Sequence, residues 1–294
     1  MLQNNSFIVS LFFISISLSA QINGIVKDSI SGKPIPFVNI WVENENIGST
    51  SEENGTFSIN TTEKSKNLIF STLGFEKKIS KATNNIEVYL KPIAYQLEEV
   101  VILKRRETKE IEIGRTNNET YQAFDNGPKI DTKFFPYFPS YKKTKYLKQV
   151  KIYTDNRVEN ATAKIHFYAF DSNGFPGKEL LNKDFIITVK KGTRINTFDV
   201  KEFNLQMPQN GIFVGFEKLL IENNKIEKNL IDLNTNKTQL IKTYYPFVLY
   251  NFVEREFSFT FSGGKWIKQS KLKKEDLSQK IMIYEPAINL ILTN

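Results

Sequence analysis

Residues 22–90 constrain the fold of this chain most, because short β-rich runs alternate there with turns. Within the run at residues 37–42, Val38, Ile40 and Val42 point to one side, and the residues between them point to the other. This two-residue period is the signature of a β-strand. The segment therefore predicts a small β-sandwich rather than a helical domain.

Turn residues separate these runs. Asn54 and Gly55 both tolerate a positive φ, so together they predict a hairpin turn between two strands. The pattern is carried by the runs Ile22–Asp28, Ser31–Pro36, Phe37–Val42, Ile47–Thr50, Glu53–Gly55, Thr56–Ile59 and Leu68–Phe75.

These runs closely resemble the carboxypeptidase-regulatory-like domain, a transthyretin-like β-sandwich at the front of many secreted and outer-membrane proteins. The resemblance covers residues 22–90, and we assign the predicted domain to residues 21–92. It implies a fold, but it implies no ligand and no chemistry.

Residues 1–20 are almost wholly apolar from Phe7 to Leu18 and predict a secretory signal peptide that is cleaved before Gln21. An uncleaved membrane anchor is the alternative, but about a dozen apolar residues are short for a span that needs roughly 20. We therefore expect an exported protein without an integral span, located in the periplasm, at the outer membrane or on the cell surface.

The composition narrows the possible partners. The chain has no Cys, so an exported form must be stabilised by core burial alone. Its formal net charge is +8, from 40 Lys and Arg against 32 Asp and Glu. Lys residues cluster at residues 142–148 and 265–274, where they are expected to solvate strand faces and protect sheet edges. Export argues against nucleic acid, which leaves an envelope protein or a glycan as the expected partner.

Residues 93–128 are predicted to be a linker with at most one strand, at residues 110–114. Within it, residues 97–102 resemble the segment that follows such domains in TonB-dependent receptors, although a last strand of the sandwich explains them more simply. From residue 129 to residue 294 many short β-rich runs are separated by Gly, Asn and Pro. In one of them Ala163, Ile165 and Phe167 share a face. The predicted strands are Tyr146–Tyr153, Thr162–Phe170, Phe185–Val189, Thr193–Val200, Gly211–Phe216, Tyr244–Val253, Phe257–Phe261 and Ile281–Tyr284. This part predicts a second antiparallel sandwich of jelly-roll type, which makes the whole chain all-β.

The second sandwich also carries a weaker resemblance. The segments at residues 171–181, 198–200 and 211–216 resemble a β-sandwich that accompanies regulatory-like domains in exported proteins and is similar to galactose-binding-like sandwiches. No chemistry is assigned to it.

The residues give little support to catalysis. Zinc carboxypeptidases bind their metal through two His and a Glu, whereas this chain has a single His, His166, which is expected at the surface or between domains. Ser262-Gly263-Gly264 is explained by a hairpin turn, and Asp171-Ser-Asn-Gly174 by a turn rather than a calcium loop. We predict no catalytic residue, no metal and no cofactor.

The aromatic run at residues 134–141 is the remaining candidate for a site. Together with aromatic residues further along the chain it predicts a stacking platform for sugar rings. The predicted ligand-binding residues are Phe135, Tyr137, Tyr141, Tyr245 and Trp266. The alternative is that Phe134 and Phe135 enter the core while Tyr137 and Tyr141 cap its rim.

Three functions follow from these observations. The leading hypothesis is a non-enzymatic exported protein of the cell envelope that acts as an interaction or adaptor module. The alternative is a carbohydrate-binding module in the second sandwich, and a glycoside or peptide hydrolase that uses scattered carboxylates comes third.

Overall fold

The computed structural model describes residues 20–61, 66–93, 107–115, 121–123, 127–231, 238–270 and 282–294. In these ranges the regular structure is β, interrupted by three short 3-10 helices at Pro139–Lys143, Lys201–Phe203 and Glu222–Asn224. The prediction of an all-β chain is confirmed. The predicted signal peptide, apart from Ala20, and the receptor-like segment at residues 97–102 lie outside the described residues.

Seven strands form the first sandwich. They are β1 Ala20–Asp28, β2 Asn39–Val42, β3 Gly48–Thr50, β4 Thr56–Thr61, β5 Asn67–Ser71, β6 Lys78–Lys81 and β7 Ile86–Leu90. One sheet has the order β4-β1-β7 and the other β3-β2-β5-β6. β1 and β7 run parallel, which departs from the otherwise antiparallel pairing.

The core of the first sandwich lies between its two sheets. Val38, Ile40 and Val42 are fully buried there beside residues such as Phe70 and Leu90. The predicted alternation along β2 is therefore confirmed, because its apolar face points into the sandwich.

The turn at Asn54 and Gly55 differs from the prediction. It does not close a hairpin, because β3 pairs with β2 in one sheet and β4 pairs with β1 in the other. The chain instead crosses between the sheets, with a hydrogen bond of 2.9 Å from Gly55 N to Glu52 O and a φ of +76° at Gly55. The prediction of a turn at these residues is confirmed, but the predicted hairpin is wrong, because β4 pairs with β1 and not with the strand before the turn.

Sixteen strands form the second part of the chain. They are β8 Glu110–Ile113, β9 Tyr121–Ala123, β10 Ile130–Phe135, β11 Tyr146–Asn156, β12 Ala161–Phe170, β13 Pro176–Glu179, β14 Phe185–Val189, β15 Gly192–Asp199, β16 Ile212–Lys218, β17 Lys225–Ile231, β18 Thr238–Tyr244, β19 Phe247–Glu254, β20 Phe257–Ser262, β21 Lys265–Ser270, β22 Met282–Pro286 and β23 Ile288–Thr293.

Two seven-stranded sheets stack here into the second sandwich. The front sheet has the order β13-β12-β16-β10-β20-β21, with β14 beside β12. The back sheet has the order β22-β19-β11-β23-β8, with β15 beside β11 and β9 beside β19. Ile165 and Phe167 of the front sheet and Ile152 and Leu290 of the back sheet share one buried core. β17 and β18 pair only with each other as a separate hairpin.

Most strands predicted after residue 129 are present within a few residues of their predicted bounds. The predicted run at residues 244–253 is divided, because β18 ends at Tyr244 and β19 begins at Phe247. Pro246 lies between them and has no N–H group to donate to a ladder.

The segment predicted as a linker contains two strands rather than at most one. β8 pairs with β23 and β9 pairs with β19, so both belong to the back sheet of the second sandwich. β8 is the strand that was predicted at residues 110–114, whereas β9 was missed because the surrounding segment is polar.

The two sandwiches are in direct contact, and the contact covers the outer face of β2. Trp41 meets the edge of Phe261 with ring centroids 5.8 Å apart, and Phe37 is buried with Leu219 and Ile221. Lys164 Nζ donates a hydrogen bond of 2.7 Å to Phe37 O. Because each face of β2 is covered by a different sheet, all four of its residues are buried.

Candidate functional site

A cavity of about 560 Å³ opens in the front sheet, where two neighbouring strands separate. β10 pairs with β16 along its whole length, but it pairs with β20 only from Ile130 to Thr132. A hydrogen bond of 2.8 Å from Thr132 Oγ1 to Phe259 O marks the last contact before the strands part. The second half of β10 and the start of β20 therefore line the opening.

Aromatic side chains form one wall of this cavity. Phe134 lies 4.8 Å from Phe213 and 6.1 Å from Phe257 between ring centroids, and Phe259 lies 5.4 Å from Phe257. These rings are tilted or edge-on to one another, which are the arrangements that aromatic pairs favour. The result is an apolar surface on the outer side of the front sheet.

Phe138 and Tyr141 line the cavity from the segment that follows β10. Their rings are perpendicular, with centroids 5.5 Å apart. Phe138 is 49% exposed, whereas Tyr141 packs against the core. Phe138 is therefore the lining ring most accessible from solvent.

A buried ion cluster lies at the inner end of the cavity. Lys133 Nζ is 2.9 Å from Glu285 Oε1 and donates a hydrogen bond of 2.6 Å to Gly114 O. Arg255 holds the same carboxylate through Nε at 2.7 Å and Nη2 at 3.2 Å. Two cations therefore share one carboxylate.

Burial lowers the pKa of Lys133, and the nearby Arg255 lowers it further, while Glu285 acts in the opposite direction. The ammonium group points inward because Lys133 alternates with the outward-facing Phe134 along β10. The cluster thus contains the two cations Lys133 and Arg255 and the single carboxylate of Glu285, so one positive charge is not neutralised within it.

Gly114 allows the chain to approach this cluster. Its φ is +89°, and a Cβ atom there would lie 2.4 Å from the ring of Phe135. The next residue, Arg115, lies at the rim and pairs with Glu112 at 2.6 Å. Arg115 lowers the pKa of Glu112 to about 2, with help from Lys151 and Asn289 and against the effect of burial.

The structure does not bring the five predicted ligand-binding residues together. Phe135 and Tyr141 line the cavity, but Phe135 is only 2% exposed. Tyr137 lies beside Tyr141 with perpendicular rings whose centroids are 6.2 Å apart. Tyr245 is buried next to Phe247, and half-buried Trp266 packs edge-on to Tyr168 and Phe261. Phe135 and Tyr245 are therefore in the core and cannot present a face to a sugar.

The sequence reasoning missed Lys133, Arg255, Glu285 and Phe257. One signal was present, because Asp131, Lys133 and Phe135 share one face of a strand and Phe135 was a core candidate. An inward-pointing charge in such a strand indicates a buried pair. Its partner, Glu285, lies on another sheet and could not be identified from spacing.

His166 differs from the prediction of a surface residue. It does face away from the core, but it is only 8% exposed, because Glu179 Oε2 lies 3.1 Å from Nδ1 and Glu217 Oε2 lies 2.7 Å from Nε2. Burial opposes protonation of the ring, yet the two carboxylates outweigh it and raise the pKa of His166 to about 10. The residue is therefore a buried imidazolium in an ion cluster.

The two turns that were weighed as chemical sites are structural. Asp171 Oδ1 accepts hydrogen bonds of 2.8 and 2.7 Å from the N–H groups of Asn173 and Phe175, which closes the turn between β12 and β13. Gly263 and Gly264 turn the chain between β20 and β21. Both predictions are confirmed.

A second, more polar groove of about 700 Å³ lies between the two sandwiches. The side chains of Gln21, Asn23, Ser58 and Asn60 line it from the first sandwich, and Tyr244 lines it from the second. Gln21 Nε2 donates a hydrogen bond of 2.9 Å to Ser58 Oγ. The groove thus combines amides and hydroxyls with the rings of Phe57 and Tyr244, and the charged residues Glu52, Glu222 and Lys242 also line it.

The described residues contain no group of three or more His, Cys, Asp or Glu placed to hold a metal ion. Among the same residues no helix has the length and apolar character that a membrane crossing requires.

Comparison with known proteins gives a family match and distant structural matches, two of which are described below. No curated protein matches the chain. A structure titled for the infectious bursal disease virus Gx strain has 8% identity and a TM-score of 0.21, over 87% of this chain and 60% of that one. The VP2 subviral particle of the same virus gives 10% identity and a TM-score of 0.21, over 94% and 65%.

The chain thus spans less than two thirds of the length of either viral chain, and at this TM-score neither likeness bears on fold or function. The family match is to the CarboxypepD_reg-like domain and covers residues 22–102. It agrees with the seven-stranded first sandwich and with the predicted resemblance. Residues 22–102 are therefore a CarboxypepD_reg-like domain, which is a regulatory-like module and not a catalytic carboxypeptidase domain.

Proposed function

We propose that this protein is a non-catalytic, exported interaction module of the cell envelope, which binds its partner through the cavity between β10 and β20. The observation that carries the proposal is the pairing of the cavity's buried charges with one another beneath an aromatic wall. Concave, mainly apolar sites with a few fixed polar groups are typical of ligand recognition.

The arrangement of Glu285 favours binding over hydrolysis. Its two oxygens are both occupied by cations, since Oε1 pairs with Lys133 and both oxygens accept hydrogen bonds from Arg255. A general acid or base must exchange its proton during the reaction. A carboxylate fixed between two cations instead holds the shape and charge of a binding site.

The first sandwich supports the adaptor role through the edge strand β7. Its β3-β2-β5-β6 sheet contacts the second sandwich through Trp41 and Phe37, and β1 and β4 line the groove between the sandwiches, which leaves β7 as the edge of the β4-β1-β7 sheet away from that groove. Strand addition at a sheet edge is a common mode of docking to a partner. One sandwich would then carry the ligand site and the other the docking edge.

Retention on the protein's own envelope fraction tests this proposal. The chain from Gln21 onward should be retained, and the double variant Phe138→Ala/Tyr141→Ala should lose about 10-fold in retention, because it removes two lining rings. Phe252→Ala, an exposed aromatic residue of the back sheet, is the matched control and should bind like the wild type. Equal retention of both variants, or hydrolysis of peptides or glycosides at enzyme-like rates, would contradict the proposal.

Carbohydrate binding is the second candidate, and the polar groove between the sandwiches favours it. Amide and hydroxyl side chains beside an aromatic ring suit a sugar better than the buried rings of Phe135 and Tyr245 do. A glycan array with Tyr244→Ala, Tyr137→Ala and Trp266→Ala distinguishes the two locations. Loss of signal only in Tyr244→Ala would support the groove, and an array without hits would remove this candidate.

A further inference from the structure

We propose that the cavity between β10 and β20 is selective for an anionic ligand with an aromatic body, such as an aryl carboxylate. This inference rests on the proposed function, because it assigns a ligand class to the same cavity. It depends on two separate properties of the site, the balance of its buried charges and the chemistry of its walls.

The charge balance favours an anion. Lys133 and Arg255 bring two positive charges to the inner end of the cavity, where Glu285 supplies one negative charge. Lys133 and Glu285 balance each other inside the protein, where their side chains are only 1% and 5% exposed, so the excess positive charge rests on Arg255, whose side chain is 42% exposed. A ligand carboxylate beside Arg255 would neutralise it.

The other charges around the cavity do not alter this balance. Arg115 at the rim is paired with Glu112. Glu256 also lines the cavity, but it is exposed, so solvent screens its negative charge. The uncompensated positive charge therefore remains on Arg255, which holds the buried Glu285 and is itself 42% exposed to an entering ligand.

The walls favour an aromatic body over a bare anion. Phe134, Phe213, Phe257 and Phe259 form a continuous set of tilted rings, and Phe138 and Tyr141 add a perpendicular pair. A volume of about 560 Å³ lies within the range of sites for small organic ligands. Phe213 and Phe259 are each 1% exposed and support the wall from behind. The rings that an aryl group would cover, and that an inorganic anion would leave to water, are those of Phe134, Phe138, Tyr141 and Phe257.

Calorimetric titration of the chain from Gln21 onward tests the inference with four probes. Naphthoate and naphthamide have the same rings but differ in charge, inorganic phosphate has charge without rings, and dodecanoate has a carboxylate on an acyl chain. We expect naphthoate to bind about 10-fold more tightly than naphthamide at low salt, and more tightly than the other two probes. Added salt should reduce this preference.

Two variants assign the preference to the cavity. Arg255→Gln should weaken naphthoate binding by about 10-fold and leave naphthamide binding unchanged, because it removes the guanidinium that would pair with the ligand carboxylate and leaves the aromatic wall in place. The side chain of Arg255 is 42% exposed, so the variant is expected to fold, which circular dichroism would verify. Arg194→Gln is the control, since Arg194 is an exposed arginine on β15, and it should match the wild type.

Several outcomes would overturn the inference. They are equal binding of naphthoate and naphthamide, tighter binding of phosphate or dodecanoate, equal effects of the Arg255 and Arg194 variants, and no binding of any probe. If charge selectivity fails while envelope retention still depends on Phe138 and Tyr141, only this inference is lost. If naphthoate binds selectively while retention is insensitive to those residues, only the proposed envelope function is lost.

Discussion

The two sandwiches bury different kinds of side chain. Between the sheets of the first sandwich the buried cluster is wholly apolar, with residues such as Ile40, Phe70 and Leu90. In the described part of the chain, the buried charged residues all lie in the second sandwich: Asp131, Lys133, Lys164, His166, Glu217 and Glu285. Both domains are β-sandwiches, but in the described residues only the second one buries charged side chains.

This difference has an energetic meaning. An apolar core tolerates substitutions that conserve volume, because its stability depends on the apolar area buried and not on one specific partner. A buried charge is tolerated only while its partner is present, because desolvation is otherwise uncompensated. The second sandwich therefore depends on specific pairs, and one of these pairs lies at the inner end of its cavity.

The largest expected effect comes from breaking that pair. Glu285→Ala should lower the free energy of unfolding by about 3–5 kcal/mol, because it leaves Lys133 buried without its carboxylate. The double variant Lys133→Met/Glu285→Leu should recover most of this loss, since it removes both charges. Urea unfolding measures both, with exposed Glu256→Ala as a control that should change stability by less than about 0.5 kcal/mol. A double variant no more stable than Glu285→Ala would show that the pair is not the cause.

The second largest effect is expected from weakening the contact between the two sandwiches. Trp41→Ala should cost about 3 kcal/mol, because Trp41 is 2% exposed and packs on Phe261. It should also separate the unfolding of the two sandwiches into two calorimetric transitions. Ile30→Ala is the control, because Ile30 is 80% exposed and should leave the scan unchanged. A single, unshifted transition in Trp41→Ala would mean that this contact does not couple the sandwiches.

The pH dependence of stability should reflect the buried charges of the second sandwich, of which His166 is one. The pKa of His166 is raised from 6.5 to about 10 in the folded chain. The stabilisation that its positive charge supplies is therefore fully present below pH 6.5 and is lost as the pH rises to about 10. His166→Gln should be less stable than the wild type at low pH, by about 2 kcal/mol, and should show a flatter profile. Urea unfolding at a series of pH values measures both proteins. If the wild type and His166→Gln give parallel profiles of stability against pH, this assignment is wrong.

The last predicted effect comes from the turn at Gly55, where the chain crosses between the two sheets of the first sandwich. Gly55→Ala should cost about 2 kcal/mol, because a left-handed φ strains alanine and its Cβ would lie 2.7 Å from Val26 O. Gly32→Ala is a matched control with φ +69° and open space around it, so it should cost only about 1 kcal/mol. Equal costs at the two positions would show that the contact with Val26 relaxes freely.

Much of the fold could be predicted from local patterns. The alternation of Val38, Ile40 and Val42 and of Ala163, Ile165 and Phe167 was visible because strand periodicity is a local property. β8 was anticipated as a strand, but its membership of the back sheet was not. Pairing partners lie far apart in sequence, and nothing near Glu110 indicates β23.

The candidate site was predicted only in part. The aromatic run drew attention to Phe135 and Tyr141, which do line the cavity, but two of the five predicted residues are buried in the core. Whether a large aromatic side chain is core or surface depends on which sheet covers it. That information is contained in the packing and not in the residue type.

By itself, the sequence determined the all-β class, the regulatory-like first sandwich and the turns that divide the strands, because these follow from side-chain alternation and backbone preferences over a few residues. Only the tertiary structure decided that β3 and β4 join different sheets, that β10 and β20 separate, and that Lys133 and Arg255 meet at Glu285. These features depend on contacts between residues that are distant in the chain. Such contacts decide both whether a charged side chain is buried and which opposite charge neutralises it.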